Sequence, residues 1–100
     1  MEVGTTIKSF RKKLGISQEQ LAEISNITQA YLSQIENNKK DPNLSTLKAV
    51  CDALNIPISV LFLSSISEDD VPEGKKEAYQ IMAPAMKEMI TSLFSTSYAD

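Results

Sequence analysis

Residues 17–37, SQEQLAEISNITQAYLSQIEN, hold two helix-start signals only eleven positions apart. Ser17 with Gln20 three residues on has the form of a capping box, in which each partner satisfies an orphan backbone N–H. Thr28 is a second N-cap, its hydroxyl placed to accept from an amide of the following turn. Between them Ser25-Asn26-Ile27 fits a three-residue turn, and Asn26 tolerates the left-handed backbone. The chain is thereby confined to two short helices held close together. In the first, Leu21 and Ile24 are expected to face inward, and Ala22 lets a neighbouring helix approach closely. The second is expected from Gln29 to about Asn37.

The second helix has an unusual outer face. At about 100° per residue, Ile27, Tyr31, Leu32 and Ile35 share an arc of about 140° that reads as core. Gln29, Ala30, Ser33, Gln34 and Asn37 fill the opposite arc, where a surface helix usually carries Glu and Lys. Gln and Asn present a donor and an acceptor on one planar group. Ser and Thr supply short hydroxyl contacts. The major groove of B-DNA shows a distinct donor and acceptor pattern at each base pair, and such side chains can read it. Two short helices with such a face form a helix-turn-helix.

The rest of the chain reads as further helix. An opening helix is expected over Thr5–Leu14, with Ile7, Phe10, Arg11 and Leu14 on one face and Gly15 as its stop. After NNKKDP, Asn43 caps a fourth helix, Leu44–Leu54, whose inner face is Leu44, Leu47, Cys51 and Leu54; Asn55 suits its end. PISVLFL is a last short apolar helix. Residues 64–72 form an acidic linker. Residues 73–100 form an amphipathic segment in which Tyr79, Met82, Met86, Met89 and Leu93 recur at spacings of three and four, flanked by Ile90 and Phe94. Pro84 interrupts this stripe, and two short helices are expected there.

Charge is distributed unevenly. Residues 1–50 carry seven Lys or Arg against five Asp or Glu, a balance of +2; residues 51–100 carry three against eight, a balance of −5. A phosphate-facing surface therefore belongs to the first half. Histidine is absent and Cys51 is the only cysteine. That excludes a His/Cys metal cluster, a Ser-His or Cys-His nucleophile and an intrachain disulfide. No Gly-rich phosphate loop occurs. The chain is read as a non-enzyme needing no cofactor, and no small-molecule ligand is evident. No run of ~20 apolar residues spans a membrane and no secretory core opens the chain, so a cytoplasmic protein with no membrane partner is expected.

The stretch FRKKLGISQEQLAEISNITQAYLSQIENNKKDPNLSTLKAVCDALNIPISVLF resembles the Cro/repressor-type helix-turn-helix family, also called the Xre family. The Ser-Gln-x-x-Leu-Ala opening, the Ile-Glu closing the third helix, Asp-Pro-x-Leu-x-x-Leu before the fourth and the apolar fifth occur in order. The resemblance runs from about Thr6 to Leu63. It implies an all-α fold: a five-helix, lambda-repressor-like domain over residues 1–63, followed here by the helical tail. It implies that Gln18 binds a phosphate and braces Gln29. Gln29, Ala30 and Gln34 would face base edges with Ser33 beside them. Thr28 and Asn37 would touch phosphates, and Lys39 and Lys40 would flank the backbone. Arg11 and Glu36 would form a buried structural ion pair. The usual glycines of the turn and of the end of the third helix are Asn26 and Asn38 here.

The resemblance implies a sequence-specific transcriptional regulator. The expected form is a dimeric repressor on a palindromic operator of double-stranded DNA, its half-sites one helical turn apart, ~34 Å. Tyr79, Met82, Met86, Met89, Ile90 and Leu93 are the expected homodimer face, since Met-rich surfaces adapt to partners, with packing back on the chain's own domain as the alternative. The competing reading is an antitoxin-like or anti-regulator interaction module that binds a protein through its C-terminal helices.

Overall fold

The computed structural model describes residues 1–94; among these there are six α-helices, two 3₁₀ turns and no strand. The helices are α1 (Val3–Lys13), α2 (Gln18–Ser25), α3 (Gln29–Glu36), α4 (Leu44–Leu54), α5 (Ile58–Ser65) and α6 (Lys76–Phe94), with the 3₁₀ turns at Glu68–Asp70 and Glu73–Lys75. The last six residues of the expected tail, 95–100, lie outside the described residues.

Short polar side chains set the boundaries. Ser17 Oγ accepts from the Gln20 N–H at 3.0 Å while Gln20 Oε1 accepts from the Ser17 N–H at 2.7 Å, a complete capping box on α2. Thr28 Oγ1 accepts from the Tyr31 N–H at 3.0 Å and Asn43 Oδ1 from the Thr46 N–H at 2.9 Å, capping α3 and α4. Asn26 and Asn55 end α2 and α4 in the left-handed conformation, each with φ of 59°. Asn38, just past α3, adopts the same φ. Asn is the residue other than Gly that visits this region most readily, because its short amide can bond locally.

The core joins all these helices. Ile7 of α1, Leu21 of α2, Leu32 and Ile35 of α3, Val50 and Leu54 of α4 and Leu61 of α5 are essentially inaccessible. Two expected core residues are not there. Ile24 is 63 % exposed, because α2 buries Leu21, Ala22 and Ser25. That arc is centred about 100° round from Ile24. Leu44 is 61 % exposed at the first position of α4, flanked by exposed Asn43 and Ser45; Val50 takes the core place instead. Ile27 and Tyr31 are only partly buried and pack on the core's edge.

Downstream, two boundaries differ from expectation. Helix α5 does not stop at Leu63 but continues to Ser65, which is buried. The Ser65 hydroxyl donates to the Leu61 carbonyl at 2.7 Å and lies 2.9 Å from the Thr6 hydroxyl, an economical way to carry polar atoms inside. The segment from 64 is thus partly structural. Asp70 closes the first 3₁₀ turn and pairs with the Met1 ammonium at 3.1 Å. The Ser67 amide and that ammonium hold the Asp70 carboxyl below its usual range.

The second difference is Pro84. It lies inside one continuous α6 rather than between two helices. Proline removes the N–H that the Gln80 carbonyl would use, but both residues are exposed and water can serve that carbonyl. Helix α6 is tied to the domain along one side. Ile90 enters the core and Phe94 packs beside it. Tyr79 donates its hydroxyl to the Ile66 carbonyl at 2.9 Å, Lys76 Nζ donates to the Glu68 and Val71 carbonyls, and Lys13 Nζ donates to Thr91 Oγ1 at 3.3 Å.

Gly4 marks where α1 and α3 meet. A Cβ there would overlap the Ile35 carbonyl oxygen and crowd Asn38 Oδ1. Backbone cannot step aside as a flexible side chain can. Gly4→Ala is expected to lose about 1–3 kcal/mol in urea unfolding, as overpacked cores do, whereas Gly15→Asn, at φ 74° with open space around it, is expected to lose less.

Candidate nucleic-acid interface

The outer face of α3 is open. Thr28, Gln29, Ala30, Gln34 and Asn37 are exposed and Ser33 is partly so. Ala30 adds only a methyl, so the amides on either side stand clear of it. Asn37 Nδ2 lies 3.5 Å from Ser33 Oγ, a long contact that leaves both groups free to re-pair. Lys39 and Lys40 follow on the exposed turn. These residues share one surface, while Leu32, Ile35 and Glu36 on the other side of α3 are buried.

That helix is held by one carboxylate. Glu36 is 3 % exposed and terminates α3, where the helix dipole disfavours negative charge. Arg11 compensates. Its Nε donates to Glu36 Oε2 at 2.7 Å and its Nη2 to Oε1 at 3.0 Å, a two-pronged pair between α1 and α3. Its Nη1 donates to the Ile16 carbonyl at 3.0 Å, fixing the loop into α2. Gln18 Nε2, at the start of α2, donates to Glu36 Oε1 at 3.0 Å.

Gln18 therefore departs from its expected use. Its amide N–H points to Glu36 rather than bracing Gln29, and its side chain is partly buried. A buried carboxylate is a stronger acceptor than a neutral amide. A phosphate contact from Gln18 would have to come from its other polar groups.

The expected apolar tail face divides. Ile90 is buried in the chain's own core, and Tyr79 is partly buried with its hydroxyl bonded to Ile66. Met82, Met86, Met89 and Leu93 remain exposed, together with Ile81, which the stripe had not included. Sequence reasoning also missed Thr5. It accepts from Asn38 Nδ2 at 2.8 Å and fastens the end of α3 to α1. The only hint was an Asn where a glycine is usual.

Cys51 is buried, and desolvation pushes its thiol from 9.0 up to about 11, with neighbouring Asp52 adding to the rise. It is a small core side chain and a poor nucleophile. Among the described residues no group of three His, Cys, Asp or Glu side chains is disposed to hold a metal ion, and no single helix is long and apolar enough to cross a membrane.

The helix-turn-helix family model matches residues 7–61, more than half the chain. The chain belongs to the helix-turn-helix family. Relatives within it include the immunity repressor protein of Bacillus phage phi105, 40 % identical over 91 residues, covering 89 % of this chain and 62 % of that protein. The HTH-type transcriptional regulator SutR of Escherichia coli K12 is 35 % identical over 92 residues, 92 % of this chain and 47 % of that protein. This helix-turn-helix chain thus spans about half to two-thirds the length of these relatives. A crystal structure of the clp gene regulator ClgR from C. glutamicum superposes with a TM-score of 0.60 at 31 % identity, over 62 % of this chain and 80 % of that one. A second ClgR structure gives a TM-score of 0.62 at 24 % identity over 92 % of this chain and 85 % of that one, a likeness of fold alone.

Two outcomes follow from the buried groups. Glu36→Ala should cost about 3–5 kcal/mol in urea unfolding, because Arg11 is left unpaired, whereas Arg11→Met with Glu36→Leu should recover most of the loss. Cys51 should resist Ellman's reagent at pH 8 in the native protein and react fully in denaturant. Its folded-state value is raised, so its contribution is complete below pH 9.0 and lost as pH climbs toward about 11. Wild type should therefore lose stability across that window relative to Cys51→Ala.

Proposed function

We propose that this protein is a sequence-specific DNA-binding transcriptional regulator that acts as a dimeric repressor in the cytoplasm and performs no catalysis. One observation carries the reading: in a helix-turn-helix chain, the exposed face of α3 offers neutral amides and hydroxyls on a rigidly fixed helix. Gln29 and Gln34 read base edges, each able to pair two-pronged with adenine, and Ala30 meets a thymine methyl. Ser33 lies beside them. Thr28, Asn37, Lys39 and Lys40 hold the phosphates on either side and set the register. The phi105 relative's name as a repressor supports the direction of regulation.

The exposed face of α6, Met82, Met86, Met89 and Leu93, pairs two copies on a palindromic operator. This face is apolar and solvent-open, and it adjoins the side that α6 uses to dock on its own domain. The second reading, an interaction module that binds a protein partner through α6, draws on the same exposed face.

Site selection from random duplex DNA at two salt concentrations tests the proposal, since phosphate contacts weaken with salt. A two-fold symmetric motif should be enriched. Gln29→Ala and Gln34→Ala should each weaken binding by about 1–3 kcal/mol and relax selection at separate positions of the half-site. An unchanged motif in both variants would remove their base-reading role. Met89→Asp with Leu93→Asp alters only exposed positions, so the monomer should stay folded. It should sediment as a monomer and bind the operator far more weakly; a persisting dimer would assign the interface elsewhere.

A further inference from the structure

Tyr31 sits on the seam between the buried and the open side of α3. Its ring packs at the edge of the core and is only partly buried. Its backbone N–H donates to the Thr28 hydroxyl at 3.0 Å, so the capped first turn fixes where the ring begins. Its own hydroxyl makes no hydrogen bond among the described residues. Tyr79, by contrast, uses the same group on the Ile66 carbonyl. A tyrosine hydroxyl that is buried takes a partner inside the protein, whereas one held at a wet edge keeps its donor for a surface that docks there.

The helix geometry gives that donor a direction. At about 100° per residue, the open arc runs from Gln29 at 0° to Gln34 at about 140°. Glu36 lies about 20° before Gln29 and Tyr31 about 60° beyond Gln34, so these two flank the arc on opposite sides. The Glu36 flank is occupied: Glu36 is buried, and its carboxylate accepts from Gln18 at the start of α2. The Tyr31 flank is partly open to solvent. When a recognition helix lies in the major groove, its central arc faces base edges, its flanks face the two sugar-phosphate walls, and the preceding helix crosses one of them. With α2 along one wall, Tyr31 faces the other.

We propose that Tyr31 is a further DNA-contacting residue, its hydroxyl donating to a backbone phosphate on the groove wall opposite α2. The inference rests on the regulator reading and adds to it the second side of a clamp. A phenol suits the place. Its apolar ring stays against the core while its O–H reaches a charged acceptor, the combination that makes the stronger kind of hydrogen bond. Tyrosine is among the side chains that bond DNA phosphates and so set register without reading sequence. It is also neutral, so the contact releases no counterion of the kind that Lys and Arg displace. In a chain whose first half carries a balance of only +2, it holds a phosphate without adding general attraction to any duplex. Held at both walls, α3 cannot roll in the groove, and Gln29 and Gln34 keep their aim at base edges.

Tyr31→Phe keeps the ring and removes only the hydroxyl. Its thermal transition should match wild type, while its affinity for the selected operator falls roughly threefold to tenfold. The loss should be uniform across sequences, leaving the selected motif and the slope of log affinity against log salt as in wild type; Lys39→Gln, in contrast, should flatten that slope. Operators carrying a neutral methylphosphonate at one backbone position at a time locate the contact. At the phosphate that Tyr31 holds, wild type and Tyr31→Phe should bind equally. Wild-type affinity in Tyr31→Phe, a lowered thermal transition that accounts for the loss, or an altered motif would each overturn the contact. So would a loss that no single methylphosphonate abolishes. If wild type itself enriches no duplex, the regulator reading falls and the contact with it; if wild type selects an operator and Tyr31→Phe binds it equally, the contact alone is removed.

Discussion

The Glu36 carboxylate governs the arrangement of the first three helices. It takes three hydrogen bonds, two from Arg11 on α1 and one from Gln18 at the start of α2, while sitting at the end of α3 itself. A carboxylate this deeply buried is tolerated only when its charge is paired and its lone pairs are filled. Those conditions fix the angle and depth at which α3 sits on α1 and α2. The other side of α3, with Gln29, Ser33 and Gln34, is thereby aimed without any of these residues taking part in its own positioning. This division matters for a reading helix. In the proposed complex Gln29, Ser33 and Gln34 could change with the partner sequence, because the groups that hold the helix lie on its far side.

Much of this was legible in the sequence, and the reasons are local. Ser17, Thr28 and Asn43 announce helix starts because a side-chain oxygen two or three residues ahead of an orphan amide is a geometric signal that survives any tertiary context. Asn26 and Asn55 announce ends for the same kind of reason. What failed depended on distant neighbours. Ile24 and Leu44 have the right spacing for core, but which side of a short helix is covered is settled by the helices across from it. Gly4 carried no sequence signal, since its smallness matters only because the Ile35 carbonyl passes beside it. The Gln18 contact with Glu36 also escaped notice, since it joins residues eighteen apart. The base-reading and dimer assignments rest on what chemistry the exposed groups offer, and pattern alone stops there.

Pro84 shows the same limit. A proline ends a helix when the orphaned carbonyl has nowhere to go, and continues it when water can reach that carbonyl. Exposure decides between the two, and exposure belongs to the tertiary structure. Here α6 touches the domain through Tyr79, Ile90 and Phe94, leaving Gln80 and Pro84 on the open side. The continuous helix then has two apolar aspects. One is used up in docking on the chain's own core, and the other, from Met82 to Leu93, faces water. A single stripe in the sequence thus resolves into an intramolecular contact and an exposed surface, which is why Ile90 is buried and Met89 exposed although adjacent.

The electrostatics fit this division of labour. A chain with net charge −3, whose first half carries only +2, cannot rely on general attraction to a polyanion. Few phosphate contacts per copy in the proposed complex would mean weak non-specific binding and a shallow dependence on salt. In the proposed complex, discrimination comes from neutral amides and affinity from joining two such heads. The second head binds at the effective concentration set by the first. Weak single heads sharpen the requirement for both half-sites at the correct separation. A strongly basic α3 would relax that requirement by binding any duplex. In that proposal the scarcity of positive charge around α3 favours selectivity, because the geometry of the proposed pair becomes the quantity that DNA sequence must match.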